Sequence, residues 1–254
     1  MTASVRIAQL YPVELGITGD RGNVRALQVR LERAGVAVDI VRVAPGDAFP
    51  EAPDVVIVGN GPLSAMRTVR DDLERHADGI RSFVADGGAL LAVGGGAELL
   101  SRGVAALDGE YLDGLGVFPA DVVRTRERKV GYIVAQSPLG RVIGFEDHAS
   151  EWTVDDAASA FGRVVSGRGS FALPSGAGRG ELVRAGNAFA SNVQGPLLPL
   201  NPELTVGILQ TVAARRGASW QLGAGVEALD GYAAGARAKI EQLVHDKVFN
   251  TIQL

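Results

Sequence analysis

LLAVGGGAELL, residues 90–100, decides the fold. An apolar run, Leu90-Leu91-Ala92-Val93, meets three glycines, and a helical pattern opens just beyond them. A strand that turns sharply into a helix is the joint of an α/β unit, and in many α/β enzymes that joint carries the nucleophile. Here the joint is Gly94-Gly95-Gly96, with no Ser, Cys or Thr.

Upstream of the joint, strand-like and helix-like segments alternate. VRIAQLY (5–11) is a short apolar run. GNVRALQVRLERAG (22–35) sets Val24, Leu27, Val29 and Leu31 among Arg and Glu, and Gly35 provides a helix stop. VAVDIVRV (36–43) is rich in β-branched residues, and DVVIVG (54–59) is a buried-strand pattern closed by glycine. VRDDLERHADGIRSFVADGG (69–88) places Val69, Leu73, Ile80, Phe83 and Val84 at helical spacing and ends at Gly87-Gly88. This alternation predicts an α/β fold with a mostly parallel sheet and helices on both faces. Ligand crevices in such sheets lie beyond the C-terminal ends of the strands, so Gly59–Gly61 and Gly94–Gly96 are expected to border one.

Downstream the texture changes. Residues 116–138 and 141–152 read as short strands joined by tight turns, and 182–199 as a strand pair leading into a loop. NPELTVGILQTVAARRG (201–217) reads as a helix, with Asn201 cap-like and Pro202 in its first turn. VEALDGYAAGARAKIEQLVHDKV (226–248) reads as another, weakened by Gly231 and Gly235. No linker divides the chain, so one α/β domain over 1–205 and a C-terminal helical extension over 206–254 are expected.

Composition narrows the function classes. With 254 residues, 46% of them apolar, the chain can bury a full core. The net charge of −4 and the dispersed basic residues argue against nucleic acid as a partner. The 34 glycines have no fixed period. With no cysteine, disulfides, thiolate metal sites and cysteine nucleophiles are excluded. MTASVRIAQLYP lacks the pattern of a secretory signal, and no window is apolar for long enough to span a membrane. A cytoplasmic protein without cofactor or metal is the expectation.

Three stretches taken together carry a family resemblance: YPVELGITGDRGNVRAL (11–27), RKVGYIVAQSPLGRVIGFEDHAS (128–150) and GPLLPLNPELT (195–205). Over residues 5–210 or so, the chain resembles the class I glutamine amidotransferase domains of the cobyric acid synthase type, in particular the GatD-type glutaminase subunit. The resemblance implies a flavodoxin-like α/β domain. It also implies a Mur-ligase-like synthetase as partner, which in the GatD case amidates the glutamate of lipid II. The family's elbow reads Cys-Gly-Gly, and the cysteine position falls on Gly94. Its catalytic histidine lies just before Gly-Pro-Leu-Leu-Pro, a position held here by Gln194. Its loop after the third strand runs Gly-Gly-Gly-Gln-Asp, against Gly59-Asn60-Gly61-Pro62-Leu63-Ser64 here.

These departures bear directly on the chemistry. Glutamine hydrolysis needs a nucleophile, a base to activate it and N–H donors for the oxyanion. Glycine supplies no nucleophile and glutamine no base, and such a loss costs on the order of 10⁶ in rate in a comparable triad. Glycine does accept the strained geometry of an elbow, so the turn can keep its shape without the chemistry. Gly94 is therefore expected at the end of a central strand, with Gln194 across the crevice. The expected function is a non-catalytic amidotransferase-like subunit of a ligase. The alternatives are an enzyme with chemistry rebuilt on Glu98, His148 or Arg128, and an amidotransferase whose catalytic residues were altered. Gly59, Gly61, Gly95 and Arg128 are the candidate substrate-binding residues.

Several residues admit two readings. GDRGN (19–23) is a surface turn in which Asp20 and Asn23 saturate free N–H groups, or a docking element. His148 is a hydrogen-bonded structural residue or a catalytic one, and with Glu146 and Asp147 it makes a weak metal site. Arg128 and Lys129 bind a substrate carboxylate or are solvated. Ser64 has no histidine placed near it. His76 and His245 read as surface residues. The apolar tail HDKVFNTIQL (245–254) covers the core or packs on a partner.

Overall fold

The computed structural model describes residues 4–244. The segment that carries His245 and the apolar tail lies outside them. In chain order the first half consists of β1 (Val5–Leu10), α1 (Arg21–Arg33), β2 (Val38–Val43), β3 (Val55–Val58), α2 (Leu63–Arg75), α3 (Ala77–Ala85), β4 (Ala89–Val93) and α4 (Gly95–Leu99). There follow β5 (Gly103–Ala105), β6 (Tyr111–Asp113), β7 (Ala120–Ser137), β8 (Gly140–Val154), β9 (Ala160–Ser166), β10 (Phe171–Ala172), β11 (Arg179–Ala185), β12 (Ala188–Ser191) and β13 (Val193–Gln194). Three helices close the described chain: α5 (Leu197–Leu200), α6 (Pro202–Arg215) and α7 (Val226–Leu243).

Five strands in the order β2-β1-β3-β4-β12 are mutually parallel and form the heart of the sheet. This is the doubly wound order of flavodoxin-like folds. The all-apolar sequences of β3 and β4 follow from burial on both faces. Ile57 and Leu91 pack beneath Leu27 and Leu31 of α1 and Ile208 and Val212 of α6. Their neighbours Val56, Val58, Leu90 and Ala92 face Met66 and Val69 of α2 and Ile80 and Phe83 of α3. The α/β fold with helices on both faces is as expected. α6 crosses residue 205 and packs one face on the core through Leu204, Ile208, Leu209 and Val212.

Other expectations are corrected. In place of the short strands expected over 116–152, residues 120–154 form one long hairpin, β7/β8. Its irregularity lies at the charged run RTRERK: Thr125–Arg128 stand opposite Ala149 alone, between the pairs Arg124↔Ser150 and Lys129↔His148. A bulge lets three charged residues point to solvent without ending the strand. The helix expected over 69–88 starts earlier, after the extended Pro62, and breaks in two at His76. His76 is not a surface residue. It is 4% exposed, beside Asp72 and the Phe49 ring.

α7 runs to Leu243 with Val244 as its C-cap, and residues 245–248 of the expected helix lie outside the described residues. It buries only Val226 and Ala233 and is tied down by ion pairs of Arg30 with Asp230, Arg237 with Glu203 and Arg141 with Glu241. Among the described residues no helix is long and apolar enough to cross a membrane.

Candidate functional site

Four loops meet beyond the C-terminal ends of the parallel strands: 11–20 after β1, 59–62 after β3, 94–96 after β4 and 192–196 after β12. Glycines let them interlock. A Cβ on Gly59 or Gly61 would fall under 3 Å from a backbone oxygen of Leu15 or Glu14, and one on Gly95 or Gly96 equally close to an oxygen of Gly61 or Gly59. The two glycine turns therefore border one crevice, as their positions in the sequence implied. Gly96 N–H also donates to Gly59 O at 3.0 Å.

Gly94 caps α4 with φ 52° and ψ −122°, a backbone that side chains rarely tolerate. Its N–H is held by Ser191 O at the end of β12 (2.9 Å), and its carbonyl accepts Glu98 N–H (2.9 Å). The space in front of it is filled. A Cβ on Gly94 would lie under 3 Å from Oδ1, Cγ and Cβ of Asn60.

Asn60 spans the crevice. Its Oδ1 accepts the Gly95 N–H at 2.8 Å, and its Nδ2 donates to Gln194 Oε1 at 3.2 Å. Gln194 Nε2 in turn donates to Asp147 O at 2.9 Å. A backbone N–H only donates and a backbone carbonyl only accepts, so the ends of this relay fix the orientation of both amides. Each bond polarises the next in the same direction. Gln194 is 4% exposed and lies in β13, paired with β8 at Phe145. Gly94 and Gln194 thus face one crevice, with Asn60 between them.

The GDRGN stretch is not a surface cap. Asp20 and Asn23 are each 1% exposed; Asp20 holds the N-cap position of α1, but its side chain makes no capping hydrogen bond. Asp20 Oδ2 accepts the Asn60 N–H at 3.1 Å and the Thr18 hydroxyl at 3.2 Å. Burial pushes its carboxyl above the usual carboxylate range, and these hydrogen bonds pull it partly back. Asn23 Oδ1 accepts the Leu198 N–H at 2.8 Å, and Gly22 packs flush on the Pro196 ring. GDRGN and GPLLP therefore lock together behind the crevice. Asn201 is likewise no side-chain cap: it clamps β8, accepting from Ile143 N–H and donating to Ile143 O and Leu197 O.

The charged candidates are all engaged. Arg128 forks onto the Asp147 carboxylate at 2.6 and 3.1 Å, so it joins the crevice through the same residue that ends the amide relay. Lys129 donates to Glu151 (2.6 Å) and to Gly169 O (2.9 Å). Glu98 is buried in α4 against Arg124 (2.6 Å). Burial raises its pKa, and the guanidinium offsets part of the rise. His148 is buried, with Nδ1 3.4 Å from Ser150 Oγ and Nε2 lacking a hydrogen-bond partner, 4.0 Å from Glu146 Oε2. Burial first, and Lys129 second, lower its pKa to about 3. Ser64 stands exposed in the first turn of α2. Among the described residues no three His, Asp or Glu side chains are grouped as metal ligands.

Sequence reasoning missed the roles of Asn60, Asp20 and Asp147. The signal for Asn60 was present, an amide side chain isolated between two glycines in a strand-end loop. What it faces depends on loops far away in the chain.

A family model for the CobB/CobQ-like glutamine amidotransferase domain matches residues 6–201. The GatD subunit of lipid II isoglutaminyl synthase (glutamine-hydrolyzing) from Streptococcus pneumoniae (strain ATCC BAA-255 / R6) is 29% identical over 216 residues. The match covers 84% of this chain and 82% of that one. The corresponding subunit from Staphylococcus aureus (strain N315) is 27% identical over 207 residues, covering 80% and 82%. A crystal structure of a glutamine amidotransferase matches the fold with a TM-score of 0.54 at 21% identity, over 81% of this chain and 98% of that one.

Proposed function

The chain belongs to the CobB/CobQ-like glutamine amidotransferase domain family, and from that premise we propose that it is a GatD-like subunit that does not hydrolyse glutamine. The observation that carries this reading is the elbow at Gly94. It has the strained turn of a nucleophile site, in a chain without cysteine, and an asparagine amide fills the space in front of it. In this reading Gly94 stands at the nucleophile position and Gln194 at the base position. Gly95 N–H, the natural oxyanion donor, is already occupied by Asn60. Gly59 and Gly61 shape the crevice, and Arg128 meets a substrate carboxylate only by exchanging it for Asp147.

The retained property is then association. The relatives of similar length are named as subunits of a synthase. We take the partner of this chain to be an ATP-dependent, Mur-ligase-like synthetase in the cytoplasm, acting in cell-wall or related amide-forming metabolism.

The competing reading, chemistry rebuilt in the same crevice, has a specific arrangement to recommend it. Ser150, His148 and Glu146 alternate along one face of β8 in the order hydroxyl, imidazole, carboxylate. Against it, an imidazole with a pKa of about 3 takes up a proton poorly near neutral pH, and Ser150 is wholly buried.

Two measurements test the proposal. Glutamate release from glutamine, with and without a co-purified ligase, should stay at background. Turnover near 1 s⁻¹, the low end of ordinary enzyme rates, would overturn it. Affinity capture from the native cell should bring down an ATP-using ligase, and capture of the intact subunit without one counts against the partnership.

A further inference from the structure

The crevice already contains a primary carboxamide, that of Asn60. Its oxygen takes the N–H just past the strand-to-helix turn, and its nitrogen reaches an acceptor on the opposite wall. Those are the two contacts a free amide would need there. The site is also fixed around the amide: Asp20 holds the Asn60 backbone N–H, Ile17 N–H holds its carbonyl, and Asp147 O orients Gln194. The glycine at 94 leaves the volume into which the amide fits.

We propose that the crevice is a carboxamide-recognition site held shut by its own tethered ligand, the side chain of Asn60. A group on a short tether meets its site at an effective concentration of at least millimolar order, so dilute free amides do not displace it. Shortening Asn60 frees Gly95 N–H and Gln194 Oε1 together and leaves a pocket for a small primary amide. The inference rests on the preceding reading only for the location of the site, because an amide can be recognised whether or not it is hydrolysed.

Chemical complementation tests it. Asn60→Gly removes a group equivalent to acetamide, and Asn60→Ala one equivalent to formamide. Acetamide should raise the melting temperature of N60G by about 2–4 °C more than it moves the native protein, as expected for a ligand that binds only the folded chain. Formamide should do the same for N60A. Gln194→Ala in the N60G background should abolish the gain. By calorimetry, L-glutamine should bind N60G at least tenfold more tightly than the native protein. The proposal is overturned if native and shortened chains respond alike to both amides, or if the native protein binds glutamine as tightly as N60G. Should N60G fail to fold, N60A carries the test, and an N60A that is folded yet indifferent to formamide refutes it. Background glutaminase turnover together with equal glutamine binding by the native chain and N60G would overturn this inference alone and leave the function proposed above standing.

Discussion

The carboxamide of Asn60 stands where a side chain on Gly94 would have to go. Two positions 34 residues apart are therefore one structural decision. A cysteine placed at the turn would not by itself make a site, because Asn60 blocks the Cβ and the backbone there is strained for any side chain. Gly94→Cys alone should destabilise the fold by roughly 1–3 kcal/mol. Adding Asn60→Gly should recover part of that loss, with a coupling of about 0.5–3 kcal/mol in a double-mutant cycle read by urea unfolding. Additive losses would show that the two residues do not compete for space.

His148 sets an acid limit on stability. Its folded pKa of about 3 lies below the ordinary 6.5, so the unfolded chain binds the proton more readily. This contribution is complete above pH 6.5 and is lost as pH falls toward 3. Integrated from pH 6.5 to 5, it removes about 2 kcal/mol. His148→Gln should flatten the stability-versus-pH curve between pH 6.5 and 5 by close to one proton. An unchanged slope in chemical denaturation at several pH values would place the imidazole in contact with solvent.

Arg124 neutralises Glu98 inside α4. Arg124→Ala should cost about 3–5 kcal/mol at neutral pH, since it strands a carboxylate that burial already disfavours. The loss should shrink as pH falls, because protonated Glu98 no longer carries a charge. Denaturation midpoints at neutral and mildly acidic pH check the direction, and a pH-independent loss would indicate a packing role instead.

Asn23 is the acceptor for Leu198 N–H, deep behind the crevice. Asn23→Ala leaves that donor without a partner and should cost about 1–3 kcal/mol. The melting temperature should fall by about 2–4 °C for each kcal/mol. A loss below measurement would mean that water enters and replaces the amide.

The parallel half of the fold was legible because β3 and β4 are buried on both faces and therefore apolar throughout. Gly35 could be read as a helix stop, and it does adopt φ +75°. The β7/β8 hairpin was not legible. RTRERK looks like a turn, and only its pairing with His148 and Ser150 reveals a bulge inside one strand. The break at His76 was hidden because helical spacing continues across it. Around the crevice, the motifs pointed to Gly94 and Gln194 as neighbours, and both do lie against Asn60. Asn60 itself was not legible, because its meaning arises from the 11–20, 94–96 and 192–196 loops arriving at the same place.

The order of the parallel strands has a consequence for synthesis. β4 is flanked in the finished sheet by β3 and β12, but β12 is made nearly a hundred residues later, at Ala188–Ser191. A nascent chain that has completed β1 to β4 therefore carries a bare edge of Leu90, Leu91 and Ala92 until most of the remaining sequence has left the ribosome. Non-local pairings of this kind fold slowly, and an unpaired apolar edge recruits other chains. Translation pauses between residues 93 and 188, or truncations in that interval, should drive the protein into aggregates or onto chaperones, whereas a stop after α6 should not.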